Sequence, residues 1–308
     1  YSLGTSAYPF EGLRIDGTLN FNSGGGNITM RGKSYLANTT FGAWGLGFWN
    51  LSTGSMNSGT GTILLDGLSQ SYGGTYNSGL FSNGALTVTS SNTTSDAIRL
   101  IGKSIGINGE SWGLEAESAL SLIATGDGGG ITVSTSQQNT ASNIDIVLRG
   151  VTNILAKSGP INLFGGQSDG ISGGTMWIGT TMNIGSKALS DVTSSSSNIT
   201  MQYDQHTFYA YPNVATSGSV TWKPYSTSFV AAVNTLWFNW NQNSQNMSSL
   251  TIGKSGSTAD VTFGSALTTQ CPVSVFGGTI AFNAALNLNS NSLNLDASTA
   301  VTQAAAIS

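Results

Sequence analysis

Apolar β-formers recur two positions apart along most of the chain, as in Leu19/Phe21, Ile28/Met30, Ile63/Leu65, Leu86/Val88, Ile131/Val133, Ile161/Leu163 and Met182/Ile184. A period of two belongs to strands with one face on a core, and no window shows the 3.6-residue period of an amphipathic helix. Each pair is followed by Gly, Asn, Ser or Asp, residues that close turns. The pattern predicts an all-β chain of short strands. In the closing segment Val273/Val275, Ile280/Phe282, Leu286/Leu288 and Leu293/Leu295 step by seven, six and seven residues. Three such steps suit the three faces of a coil better than a hairpin sandwich, and stacked coils make a β-solenoid. Pro160-Ile161-Asn162-Leu163-Phe164-Gly165-Gly166 returns as Pro272-Val273-Ser274-Val275-Phe276-Gly277-Gly278, 112 positions later, a distance that reads as five coils. At about 22 residues per coil the chain makes roughly fourteen coils, and at about 4.8 Å per coil a rod of some 65 Å. Residues 1–308 read as a single solenoid, broken by two aromatic-rich excursions at 35–60 and 203–248 that are expected to be irregular or widened coils.

Composition narrows the class. Only 8% of the 308 residues are charged, while 41 glycines and many Ser, Thr and Asn carry the polarity. Seven Trp, nine Tyr and twelve Phe supply the apolar surface that disordered chains lack. Ten basic and fourteen acidic residues are spread singly, with a net charge of -4, so the sequence shows no basic stripe for nucleic acid. No apolar run is long enough to cross a bilayer as a helix. The start at Tyr1, without a signal region, reads as a processed product or a piece of something longer. One cysteine, Cys271, offers neither an internal disulfide nor a thiolate metal site.

Side chains suited to catalysis are sparse. A histidine-dependent nucleophile would need His206, the only histidine, which lies 65 positions from Cys271. The densest acids, Glu110, Glu115 and Glu117 around Trp112, read as a solvated turn more readily than as a glycosidase pair. Gly126-Asp127-Gly128-Gly129-Gly130 lacks the recurring Asp of calcium-binding repeats and reads as a tight turn. No catalytic, cofactor or metal residues are assigned. Trp44, Trp49, Trp237 and Trp240 are the candidates for stacking on sugar rings or for contacts between subunits, with core packing as the alternative; alternation through Leu236-Trp237-Phe238-Asn239-Trp240 sets Trp237 opposite Leu236, Phe238 and Trp240.

The run Leu250-Thr251-Ile252-Gly253-Lys254-Ser255-Gly256, continuing through Asp260-Val261-Thr262-Phe263 and Pro272-Val273-Ser274-Val275-Phe276-Gly277-Gly278-Thr279-Ile280-Ala281-Phe282-Asn283, resembles the repeat region of filamentous-haemagglutinin-like giant bacterial adhesins. The likeness is closest over 250–308 and looser over 86–200. It implies a right-handed parallel β-helix in a secreted or cell-surface fibre, exported with an outer-membrane partner, and implies no catalytic residues. The expected function is therefore a non-enzymatic adhesin or surface-fibre segment, stiff and not membrane-spanning. Its expected partners are cell-surface glycans or neighbouring copies of the fibre, with no nucleic acid. A self-assembling filament or sheath subunit is the alternative, and a carbohydrate-active β-helix the third reading.

Overall fold

The computed structural model describes residues 10–36, 42–71, 76–106, 110–137, 144–166, 174–186, 194–238 and 247–308. Every strand pairing in them is parallel, and the chain winds as a β-solenoid that presents three faces in a fixed order. Among the described residues the one helical element is a three-residue 3-10 turn, Thr235–Trp237. Turn one uses Phe10–Asn22 for its first and second faces and Ile28–Leu36 for its third; turn two uses Ala43–Asn57 and Ile63–Ser71 in the same way. From turn three each face has its own strand, beginning with Asn77–Ser82, Leu86–Ser90 and Ile98–Gly106. Turn seven closes with Gln205–Phe208, Asn213–Ala215 and Ser219–Lys223. A narrower stretch follows, in which Val273–Phe282 and Leu293–Gln303 each bend round from the third face to the first.

The third face shows why the chain stacks. Ile28, Ile63, Ile98, Ile131, Ile161 and Ile199 occupy one inward column, continued by Val220, Leu250, Val273 and Leu293. β-branched side chains suit a pleated surface buried on its inner side, and all but Leu293 are at most 3% exposed. Ile161, Leu163, Val273, Val275, Ile280 and Phe282 point inward as their spacing predicts. Ile161 and Val273 are equivalent positions, four turns apart instead of five.

Fourteen coils are not formed. The isoleucines of this column lie 35, 35, 33, 30 and 38 residues apart. Three later steps, Ile199 to Val220, Leu250 to Val273 and Val273 to Leu293, shorten to 21, 23 and 20 residues, the pitch legible in the closing segment. Among the described residues ten strands stack on the third face, a length of about 43 Å at about 4.8 Å per strand.

The extra residues of the early turns go into a second lobe. Gly12, Gly45, Gly79 and Gly113 recur on the first face and Gly32, Gly67 and Gly102 on the third, and here the two sheets touch backbone to backbone. A Cβ on Gly32 would lie 2.0 Å from the Gly45 carbonyl oxygen, one on Gly67 2.0 Å from that of Gly79, and one on Gly102 2.1 Å from that of Gly113. The main core lies on one side of this pinch. On the other side is a small polar lobe containing the buried Ser34, Ser69, Ser71, Ser104 and Ser111. Two of its groups bond to main chain: the Ser69 hydroxyl donates to the Ala43 carbonyl (2.9 Å), and Asn77 Oδ1 accepts from the Ala43 N–H (3.1 Å); the buried Ser34 hydroxyl has no partner among the described residues. In turn five the glycine of the first face is replaced by Asp145, aligned with Gly113.

Like side chains also stack on the second face. Asn213 donates to Asn183 (3.0 Å), Asn183 to Asn153 (2.8 Å) and Asn153 to the Ser121 hydroxyl (3.1 Å). Asn183→Ala should cost about 1–3 kcal/mol, because it leaves the largely buried Asn153 oxygen without its donor; chemical denaturation measures it, and unchanged stability would show that the ladder contributes nothing net.

Neither aromatic-rich stretch is wholly irregular. Residues 43–57 form one strand in register with turns one and three. Within 203–248, residues 205–208 and 213–223 continue the ladders. The aromatics here are largely core: Tyr203, Trp222 and Phe238 are at most 3% exposed. They fill the stack where the wide turns give way to the narrow ones.

Candidate functional site

Outward side chains of the first face form rows parallel to the axis. Register places Arg14, Gly47, Phe81, Glu115, Val147 and Trp177 in one row. The neighbouring row contains Asp16 and Trp49, then Glu117, Arg149 and Tyr209, whose N–H groups each bond to the preceding turn. Trp49 lies over Gly47 and Trp177 over Gly179: a Cβ on either glycine would sit 2.5 Å from an indole atom. The missing side chain lets each ring lie down on the sheet. A guanidinium covers each ring, Arg14 at 4.9 Å from the Trp49 centroid and Arg149 at 5.1 Å from Trp177, a cation–π arrangement.

Carboxylates hold both arginines. Arg14 bonds to Asp16 and to Glu11 (3.0 Å), and Arg149 Nε lies 3.8 Å from Glu115 and 4.0 Å from Glu117. The hydrogen bond from Arg14 holds the Asp16 carboxyl below its usual range, whereas burial raises Glu11. Glu115 is 3% exposed, and burial pushes its pKa up to about 7 against the hydrogen bond donated by Ser78 (3.0 Å) and the charge of Arg149. A near-neutral carboxyl beside a second carboxylate is an acid–base pairing in principle. Here, however, Glu115 lies beneath its neighbours, where a substrate has no access to it.

Of the three tryptophan candidates among the described residues, the structure brings together two. Trp44 meets Trp49 edge to face at 4.9 Å, but it is 9% exposed and packs beneath the strip; Trp49 is half-buried within it. Trp237 packs elsewhere, 4.1 Å from the His206 ring. The expected alternation around it fails because Asn234 accepts a hydrogen bond from the Leu236 N–H (2.9 Å) and starts the 3-10 turn, so that Leu236 is 41% exposed and Phe238 is buried. Trp240 lies outside the described residues.

His206 continues the inward column of Leu46, Leu80, Leu114, Ile146 and Met176. Tyr203, Phe208, Trp222 and Trp237 surround it, and burial lowers its pKa to about 4. A pocket of 220 Å³ opens beside it between Asp204, Phe208, Ala231 and Trp237. Cys271 is in another turn, buried and in contact with the Thr269 hydroxyl at 2.9 Å, with its pKa raised by that burial. Asp127 of the glycine-rich turn pairs with Lys157 at 2.9 Å.

Sequence reasoning missed Ser78, Arg149, Trp177 and Tyr209. The recurrence of Gly-Leu at 12/13, 45/46, 79/80 and 113/114 sets a period of 33 to 34 residues that aligns Ser78 with Trp112 and Phe81 with Glu115, but the next steps shorten, Glu115 to Val147 by 32 and Val147 to Trp177 by 30, so the period does not reach Arg149, Trp177 or Tyr209. No protein-family model, curated protein or solved structure matches the chain.

Proposed function

We propose that the chain is a non-enzymatic segment of an extracellular bacterial adhesin or surface fibre, a right-handed β-solenoid rod that attaches to cell-surface glycans. The observation that carries this reading is the first-face strip. Half-exposed Trp49 and Trp177, each with an arginine held by carboxylates, stand four turns apart on the flank of a rigid rod, about 19 Å at about 4.8 Å per turn. Planar guanidiniums seated on indoles, with fixed carboxylates beside them along an open face, suit a long ligand, which an enclosed small-molecule site would not. The likeness of 250–308 to filamentous-haemagglutinin-like repeats supports the same reading, and with it export through an outer-membrane partner. A sheath built by head-to-tail stacking of identical copies is less favoured, because the two ends differ, with 35 residues per turn at one and 20 at the other.

Binding of the purified chain to an array of neutral and acidic glycans tests the proposal. Trp49→Ala with Trp177→Ala should weaken retention at least tenfold while the β-sheet circular dichroism stays unchanged. Absence of binding to every glycan would overturn the attachment reading. Cleavage of a polysaccharide that disappears in Glu117→Gln would replace it with the carbohydrate-active one.

A further inference from the structure

The basic residues, dispersed along the sequence, are gathered on the surface. Parallel register on the third face aligns Thr29 with Leu64 and Arg99, Arg31 with Asp66 and Ile101, and Lys33 with Leu68 and Lys103. Four of the ten cations, Arg31, Lys33, Arg99 and Lys103, therefore stand on the outward side of one sheet within three turns. Asp66 stands among them with its carboxylate 3.4 Å from Arg31 Nε, and Asp96 at the rim accepts a hydrogen bond from Thr132 (3.4 Å). A cleft of 340 Å³ is lined by Arg31, Lys33, Asp66 and Leu68 with the backbone of Gly12 and Gly32. A chain of net charge -4 thus carries a patch of the opposite sign.

We propose that this patch binds a linear acidic polysaccharide. The proposal deepens the attachment reading by naming a partner class, but it uses a different face from the tryptophan strip. The lattice of the sheet sets the charge spacing: Lys33 and Lys103 are two strands apart, about 10 Å, and Arg99 and Lys103 four residues apart, about 13 Å. A glycan with an acid on every sugar or every second sugar meets such charges one at a time. Half-buried Leu64, Leu68 and Ile101 lie among them, with Ile105 one row beyond Lys103, and offer apolar surface to sugar C–H faces. Duplex DNA, with one charge per about 1.7 Å, is far denser than four sparse cations can match. Single strands need successive aromatic platforms, and within these three turns the described residues of this face offer one, Tyr35, 62% exposed, at the edge of the patch.

Retention of the full chain on immobilised alginate and chondroitin sulfate, with dextran and single- and double-stranded DNA as comparators, tests the proposal. The wild type should bind at least one acidic polysaccharide at low salt and release it as salt rises, since exposed charges are screened. Lys33→Gln with Lys103→Gln should weaken that binding at least tenfold and leave dextran binding unchanged. Arg31→Gln with Arg99→Gln is the second pair, should the first fail to fold. No wild-type retention on either acidic polysaccharide, retention that both folded pairs preserve, or tighter binding to DNA would each overturn the proposal. Loss of acidic binding in Trp49→Ala with Trp177→Ala alone would also overturn it while leaving the attachment reading intact.

Discussion

Gly102→Ala should unfold the early turns, although it adds a single methyl group. The new Cβ would lie 2.1 Å from the Gly113 carbonyl oxygen, and backbone, unlike a flexible side chain, has no rotamer through which to retreat. Overpacking typically costs 1–3 kcal/mol, and a contact this close, repeated up the column by Gly67 and Gly79, should exceed about 3 kcal/mol. Solenoid turns are stabilised mainly by their nearest neighbours, so the damage should be local. Hydrogen exchange should show lost protection over residues 63–116 and retained protection over 249–282. Gly17→Ala is the control: its φ of +83° strains any side chain, but nothing lies within 4 Å, so the cost should stay at about 1–2 kcal/mol. If Gly102→Ala is as stable as the control, the two sheets do not meet at the pinch.

The second large effect is hidden in the wild type. Burial raises Glu115 from 4.5 to about 7, so the folded chain holds a proton that the unfolded chain releases. Its contribution is fully present below pH 4.5 and is lost as pH rises to 7, about 3 kcal/mol at about 1.4 kcal/mol per pH unit. His206 works the other way: lowered from 6.5 to about 4, it contributes fully above pH 6.5 and loses about 3 kcal/mol as pH falls through 4. The opposing slopes overlap between pH 4.5 and 6.5, where wild-type stability should be nearly flat. Each single variant should unmask the other group. Glu115→Gln keeps the shape and a partner for Ser78; it should be about 3 kcal/mol more stable than wild type at pH 8, with stability rising from pH 4 to 6.5. His206→Leu, which restores the residue of Leu46, Leu80 and Leu114 to this column, should instead lose stability from pH 4.5 to 7. Denaturant midpoints across this range check both, and a flat profile in either variant would refute the assignment for the group that remains.

Much of this architecture is legible in the sequence. The dyads Ile28/Met30, Ile63/Leu65 and Ile161/Leu163 are what a strand with one buried side requires, and their alternation is a local property that survives in the fold unchanged. The residue content of a turn is legible only where turns are bare, as in the 20-residue step from Val273 to Leu293. Extending that step to the whole chain fails because Gly45, Gly67, Gly79 and Gly102 allow two backbones to meet and a second lobe to form beyond them. Trp237 escapes the alternation argument because one hydrogen bond to the Asn234 side chain turns the chain locally.

Period-two patterning dictates an all-β chain with one buried side per strand and almost no helix, since neighbouring residues alone decide which side chains share a face, and the seven-six-seven spacing of the closing segment points to stacked coils. Which distant residues meet is instead a matter of long-range packing. Glu115 lies beside Arg149, Trp49 beneath Arg14, and Lys33 two strands from Lys103 because strands align according to how much chain each turn consumes. In the early turns that length includes a second lobe beyond the backbone contact between glycines on opposite sheets, a long-range meeting that no local pattern encodes.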